Sequence, residues 1–184
     1  MQEPMNIGLP DKIQLEKHLN YIHITRKWFG IQFVFFTAFA VFWNAFLFYF
    51  YAGMDEDTDN FTRFLPILHV IAGIAISYYA IAGWVNKSHI FVSKQMLEIQ
   101  HKPLPWIGNK QFRATDLKQL YAKEKISNNR NGTHVTYEVH AILTNGKNAK
   151  LLGGLDSSEQ ALYIEQEIEK YLGIKDTAVR GALG

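Results

Sequence analysis

The feature that most constrains this chain is an uncharged apolar run from Trp28 to Ala52, whose only side-chain amides are Gln32 and Asn44. As an α-helix the run would be about 37 Å long, enough to cross a hydrocarbon core about 30 Å thick. A helix that is apolar all round is either buried on every side or spans a membrane. A chain of 184 residues cannot easily bury a helix this rich in phenylalanine. We therefore predict a transmembrane helix over residues 28–52.

A second apolar run, from Phe64 to Val85, follows an acidic segment and is also long enough to span a membrane. We predict a second transmembrane helix over residues 64–86 and an external loop over residues 53–63. Basic residues mark the cytoplasmic side of membrane proteins. They flank the two runs at Lys12, Lys17, Arg26, Lys27, Lys87 and Lys94, whereas the intervening loop contains only Arg63. Both termini are therefore expected in the cytoplasm.

Residues 1–27 contain a short stretch of alternating apolar and polar side chains. Ile13 and Leu15 alternate with polar residues before a polar turn, and Ile22 and Ile24 do so after it. This period of two predicts a β-hairpin over residues 12–25 that joins the cytoplasmic domain. An interfacial amphipathic helix through Leu15, Leu19 and Ile22 is the alternative.

Residues 87–175 show the pattern of an antiparallel β domain that ends in a helix. Apolar and polar residues alternate in six segments, at residues 89–93, 96–101, 110–115, 119–126, 134–143 and 149–152. A helix is predicted over residues 157–172, with an apolar stripe of Ala161, Ile164, Ile168 and Leu172. Asp156 is its predicted N-cap, with Glu159 completing a capping box, and Gly173 its C-terminal stop. Residues 176–184 are predicted to be an irregular tail.

Six strands followed by one amphipathic helix resemble a pleckstrin-homology-like (PH-like) domain. The segments that carry the resemblance are 83–86 (GWVN), 103–105 (PLP), 119–121 (QLY), 150–155 (KLLGGL) and 160–174. They are similar to small bacterial two-span membrane proteins that carry such a domain and have no established activity. The resemblance implies an α+β membrane protein of the bacterial inner membrane. It also implies a PH-like antiparallel β barrel or sheet capped by the C-terminal helix, to which the N-terminal hairpin adds two strands.

The predicted spans contain a few polar and small residues that are candidates for specific contacts. His69 is the one titratable residue well inside a span, and intramembrane ionisable residues are functional candidates. It could contact Asn44, a partner subunit, a bound lipid or pigment, or a haem. Two-histidine haem ligation needs a second histidine, which neither span contains. Gly73 and Ser77 are four residues apart, which permits close helix packing within the chain or with another subunit.

The remaining patterns limit the kinds of ligand that the chain is expected to bind. Arg26, Lys27, Lys87 and Lys94 are predicted to contact anionic lipid, whereas a net charge of +2 does not indicate nucleic acid binding. The chain has no cysteine, and its histidines lack neighbouring carboxylates at metal-ligand spacing, so neither a metal nor a cofactor is predicted. No catalytic motif is recognised.

These observations predict a non-catalytic integral membrane protein that binds or scaffolds other components. The expected role is that of an accessory subunit in a larger membrane complex, with membrane lipids and other membrane proteins as its partners. One alternative is a membrane-anchored sensor whose β domain binds a lipid headgroup or a small ligand. A second alternative is a subunit that contacts haem or a pigment through His69.

Overall fold

The computed structural model describes residues 8–55, 58–64, 66–129 and 132–183. The chain is an α+β protein that divides into two compact units. One unit is a helical insertion, residues 28–86. The other, which we call the β unit, combines residues up to Lys27 with residues from Lys87 onward.

The helical unit contains two long apolar helices and one short one. Helix α1 covers Ile31–Ala52, α2 covers Asn60–Phe64, and α3 covers Ile67–Val85. Both α1 and α3 are long and apolar enough to cross a membrane, which indicates a membrane protein. Helix α1 begins later than predicted because Gly30 is extended, with φ at −151°. Parts of the predicted loop and second span, at residues 56–57 and 65, lie outside the described residues.

The β unit contains two antiparallel sheets and a terminal helix. The first sheet has the order β1 to β5, which are Ile13–Lys17, Tyr21–Lys27, Lys87–Ser93, Met96–Lys102 and Lys110–Arg113. The second consists of β6 (Leu117–Asn129), β7 (Gly132–Leu143) and β8 (Asn148–Leu155). Helix α4 covers Ser158–Leu172. Neither sheet closes on itself within the described part of the chain, so the barrel in the predicted fold is not confirmed.

Residues 12–25 lie in a β-hairpin, as one of the two interpretations of their sequence predicted. Leu15 of β1 is opposite Ile24 of β2, and Ile24 is in turn opposite Ile90 of β3. The amphipathic-helix interpretation of this segment is therefore wrong. The pairing of β2 with β3 also means that the whole helical unit is inserted between two neighbouring strands of one sheet.

The core of the β unit lies where the two sheets and α4 meet. Ile24 and Ile90 from the first sheet, Leu120 and Val139 from the second, and Ile164 from α4 are all buried in one apolar cluster. Burying a side chain of this size contributes about 1.5–3 kcal/mol. The apolar stripe predicted on α4 is thus the face that holds the helix against the sheets.

The N-cap of α4 differs by one residue from the prediction. Ser157 is the N-cap, and its Oγ accepts a hydrogen bond from the backbone N–H of Gln160. Asp156 lies outside the helix, where its carboxylate is 2.9 Å from Lys12 Nζ. Both Asp and Ser favour the N-cap position, so residue type alone could not separate the two neighbours. Gly173 ends the helix in the left-handed conformation, at φ 75°, as predicted.

Candidate functional site

The outer face of the first sheet carries a group of polar and aromatic side chains. Along β2, Ile22 and Ile24 point to the core, whereas His23 points to the opposite face. The register places His23 opposite Phe91 of β3, and Thr25 opposite His89. The sheet therefore brings together residues that are far apart in the sequence.

His23 and His89 form a hydrogen-bonded pair on this face, which we call the histidine pair. His23 Nε2 is 2.9 Å from His89 Nδ1, and His23 Nδ1 is 3.3 Å from Glu16 Oε2. The ring of Phe91 stacks on His23, with centroids 4.3 Å apart and planes 7° from parallel. A hydrogen bond between two ring nitrogens requires one donor and one acceptor, so at least one of the two rings is neutral.

The charge state of the histidine pair depends on its surroundings. Burial lowers the pKa of His89, and positive charge on His23, Lys102 and Lys87 lowers it further. The nearby carboxylate of Glu16 acts in the opposite direction. The pair therefore favours the state in which His89 is uncharged and bonded to His23.

Three lysines are side by side at one end of the same sheet. Lys27 is opposite Lys87, and Lys87 is opposite Lys102, and we call these residues the lysine row. Like charges directly opposite each other on neighbouring strands are unfavourable. An anion between these side chains would relieve the repulsion. Lys27 and Lys87 were predicted lipid contacts, whereas Lys102 joins them only because β4 pairs with β3.

Arg26, which was predicted to contact lipid, does not belong to this surface. Its side chain points to the core, and the residue is only 6% exposed. The guanidinium donates to the carbonyl of Gly154 and lies 3.6 Å from Asp156 Oδ1. Burial lowers the pKa of Arg26, while Asp156 opposes that change. Neighbouring residues of a strand point to opposite faces, so Arg26 points to the core while Lys27, the next residue, is on the exposed face.

Lys94, another predicted lipid contact, is held against the end of α4. Its Nζ donates to the carbonyl of Tyr171 and lies 4.9 Å from the centroid of the Tyr171 ring. Both contacts suit a cation, because a helix C-terminus carries partial negative charge and an aromatic face attracts positive charge. Lys94 is exposed, but its ammonium group already has protein partners.

In the helical unit, the predicted packing residues lie between α1 and α3. Asn44 Nδ2 donates to Ser77 Oγ at 2.9 Å and to the carbonyl of Ala40 at 2.7 Å. A Cβ atom added at Gly73 would lie 3.1 Å from both Asn44 Oδ1 and Trp43 Cδ1. Gly73 and Ser77 therefore face α1 of the same chain, where small residues permit close approach.

His69 lies beside Trp43. The two rings stack with centroids 5.7 Å apart, and Trp43 Nε1 donates to the backbone carbonyl of His69. Asn44 was one of the partners predicted for His69. In the structure, Asn44 donates a hydrogen bond to Ser77. His69 thus contacts Trp43 through both its ring and its backbone carbonyl, within the helical unit.

An open groove of about 500 Å³ runs between α1 and α3. Its lining is mostly apolar and consists of Asn44, Leu47, Phe48, Tyr51, Ala52 and Val70. An apolar groove between two helices that are long and apolar enough to cross a membrane suits an acyl chain or the side chains of a neighbouring helix.

A second polar group that sequence reasoning missed lies between α4, β6 and the C-terminal segment. Glu165 and Glu169 are on the same side of α4 as the core residues Ile164 and Ile168, and Asp176 lies beside them. We call these three acidic residues the carboxylate cluster. The sequence did contain a signal for this cluster. Glu165 and Glu169 are four residues apart, and each follows a residue of the apolar stripe, so both lie at the edge of the buried face of α4.

No protein-family model and no curated protein sequence matches this chain. The functional argument therefore depends on the arrangement of the residues described above.

Proposed function

We propose that this chain is a non-catalytic, membrane-anchored binding protein that acts as an accessory subunit of a membrane complex. The observation that carries the proposal is the surface of α1. Phe35, Phe42 and Phe48 are 70%, 68% and 69% exposed. Leaving such side chains in water instead of an apolar environment costs about 1.5–3 kcal/mol each. Acyl chains and neighbouring transmembrane helices are the surroundings that remove this cost.

In this proposal α1 and α3 cross the bacterial inner membrane, and the β unit and both termini lie in the cytoplasm. The distribution of basic residues supports this orientation. Because the chain has no cysteine, single-cysteine variants report on one position each. The reagent is a maleimide that cannot cross the inner membrane, added to cells whose inner membrane is intact and whose outer membrane does not exclude it. It should label Thr58→Cys and not Asn145→Cys. Labelling of Asn145→Cys alone would reverse the orientation, and labelling of both variants would argue against membrane insertion.

The order of the elements supports a relationship to PH-like domains. Strands β3 to β8 are followed by helix α4, and the β1–β2 hairpin lies at the edge of the first sheet. In the proposal, these six strands and the helix correspond to those of the PH-like pattern. An experimental structure would test this relationship through the closure of the two sheets. In the proposal, the outer face that carries the histidine pair and Phe91 is the surface that contacts other subunits.

Purification of the full chain in mild detergent, followed by mass spectrometry, tests the subunit role. We expect the same membrane proteins to be recovered in fixed proportion. The variant Phe91→Ala should lose them, whereas Ile107→Ala, at an exposed turn residue, should retain them. Recovery of a lone monomer would refute the subunit role.

The lysine row supports a second candidate, in which the β unit binds an anionic lipid headgroup. Each basic residue near an anionic surface contributes about 1 kcal/mol. Native mass spectrometry should show anionic lipid retained by the wild type and lost when Lys27, Lys87 and Lys102 are changed to Gln. Lys147→Gln, in the exposed β7–β8 turn, is the control. Equal retention by both variants would exclude the lysine row as the binding site.

A further inference from the structure

The carboxylate cluster combines three acidic groups, two of which are almost fully buried. Glu165 and Glu169 are 6% and 5% exposed, whereas Asp176 is exposed. One oxygen atom from each of the three side chains lies within 4.8 Å of the other two. Burying carboxylates costs several kcal/mol per ion unless they are paired with positive charge.

Hydrogen bonds satisfy only part of this cluster. The backbone N–H of Leu120 donates to Glu169 Oε1 at 2.9 Å, and the backbone N–H of Ala122 donates to the Glu165 carboxylate. Gln119 Nε2 donates to Asp176 Oδ1 at 3.1 Å. The second oxygen of Glu165, Oε2, is buried and has no donor among the described residues. A buried acceptor of this kind points to a ligand that the protein itself does not supply.

The charges that act on the two buried acids are all negative. Burial raises the pKa of Glu165 to about 7, with Glu169 and Asp176 adding to the effect. Burial also raises the pKa of Glu169 to about 7, with a further contribution from Asp176. Among the described residues, no lysine or arginine forms an ion pair with Glu165 or Glu169. Three adjacent carboxylates, one with a buried oxygen that has no donor, form a geometry that a bound cation would satisfy.

We propose that Glu165, Glu169 and Asp176 bind a divalent cation such as Ca²⁺. Carboxylate oxygens are hard ligands, which favour Ca²⁺, Mn²⁺ or Mg²⁺. Of these ions, Ca²⁺ accepts the most flexible arrangement of oxygen ligands, which suits carboxylates contributed by a helix and by the segment that follows it.

Cation binding would connect the C-terminal segment to the core of the β unit. Glu165 and Glu169 belong to α4, and Asp176 belongs to the segment that follows it. This segment already contacts β6 through the N–H of Leu183, which donates to the carbonyl of Ala122 at 2.9 Å. An ion shared by α4 and the segment would hold both against β6, so the bound state should be more stable than the free state.

The test uses the full chain in detergent, stripped of metal with a chelator and then titrated with CaCl₂ by calorimetry. We expect saturable binding of one ion by the wild type. Asp176→Asn should weaken binding at least about tenfold, because ligand charge sets Ca²⁺ affinity. Asp176 is exposed, so this variant is expected to fold. Glu124→Gln, an exposed acid on β6, is the matched control and should bind like the wild type.

Two results would overturn the proposal. The first is the absence of Ca²⁺ binding by the wild type at neutral pH, which would mean that protons alone neutralise the cluster. The second is unchanged binding by Glu165→Gln and Asp176→Asn, which would locate the ion elsewhere on the chain.

Discussion

Replacing one buried glutamate of the carboxylate cluster should stabilise the protein in a pH-dependent manner. In metal-free buffer, both carboxyl groups have a pKa of about 7 in the folded state against an ordinary value of 4.5. The folded protein therefore retains protons that the unfolded chain releases. The contribution of these two groups to stability is greatest below about pH 4.5, decreases as the pH rises, and reaches its lower limit above about pH 7.

The size of the effect follows from the raised pKa of Glu165. The difference between 4.5 and about 7 corresponds to about 3 kcal/mol for one group. Water that reaches the partly open side of the cluster, where Asp176 is exposed, reduces this cost, and we expect about 1–2 kcal/mol. Glu165→Gln cannot ionise, so it should recover this amount at about pH 8 and very little at about pH 4.5.

Hydrogen exchange at β6 measures this change directly. The amides of Leu120 and Ala122 donate to the two carboxylates, so their exchange reports local opening of the cluster. At about pH 8 and with a chelator present, Glu165→Gln should slow exchange of the peptide containing these amides about tenfold, because tenfold corresponds to about 1.4 kcal/mol. Glu124→Gln should not change the rate. Faster exchange in Glu165→Gln, or the same effect at both pH values, would refute the electrostatic reasoning.

Five further substitutions, in three tests, examine the packing within each of the two units. The pair Asn44→Ala and Ser77→Ala should show a coupling free energy of about 0.6 kcal/mol in a double-mutant cycle of the detergent-solubilised protein, and additive effects would mean that their hydrogen bond contributes nothing. Gly83→Ala would place a Cβ atom 1.9 Å from Phe33 Cδ1 and should therefore lower stability by about 1–3 kcal/mol. Adding Phe33→Ala to this variant should restore part of the lost stability. No recovery in the double variant would contradict the clash. Arg26→Met should cost about 1–3 kcal/mol in urea unfolding followed by circular dichroism, because it leaves the carbonyl of Gly154 without its donor, and an unchanged midpoint would contradict that role.

Local features of the chain were predictable because they depend on composition and period. The helices α1 and α3 follow from long uncharged runs, and the buried face of α4 follows from a repeat of Ala161, Ile164 and Ile168. The β1–β2 hairpin follows from alternation in two short segments. In each case the signal lies within a few residues of the structure that it predicts.

The contacts that form the candidate sites were not predictable in the same way. The histidine pair requires β2 to pair with β3 across residues 28–86, and no local pattern specifies that register. The face on which Arg26 lies changes with a shift of one residue, which is why its basic side chain was mistaken for a surface cation. The N-cap of α4 was misplaced by one residue because two capping residues are adjacent.

The sequence by itself determined that the chain contains two apolar helices, a set of alternating strands and a final amphipathic helix. These elements arise from side-chain hydrophobicity repeated at short intervals. Only the tertiary structure decided which acidic, basic and aromatic residues became neighbours, and which of them lost contact with water. The physical reason is that desolvation and electrostatic coupling act between side chains close in space, and the folding of both sheets around α4 sets those distances.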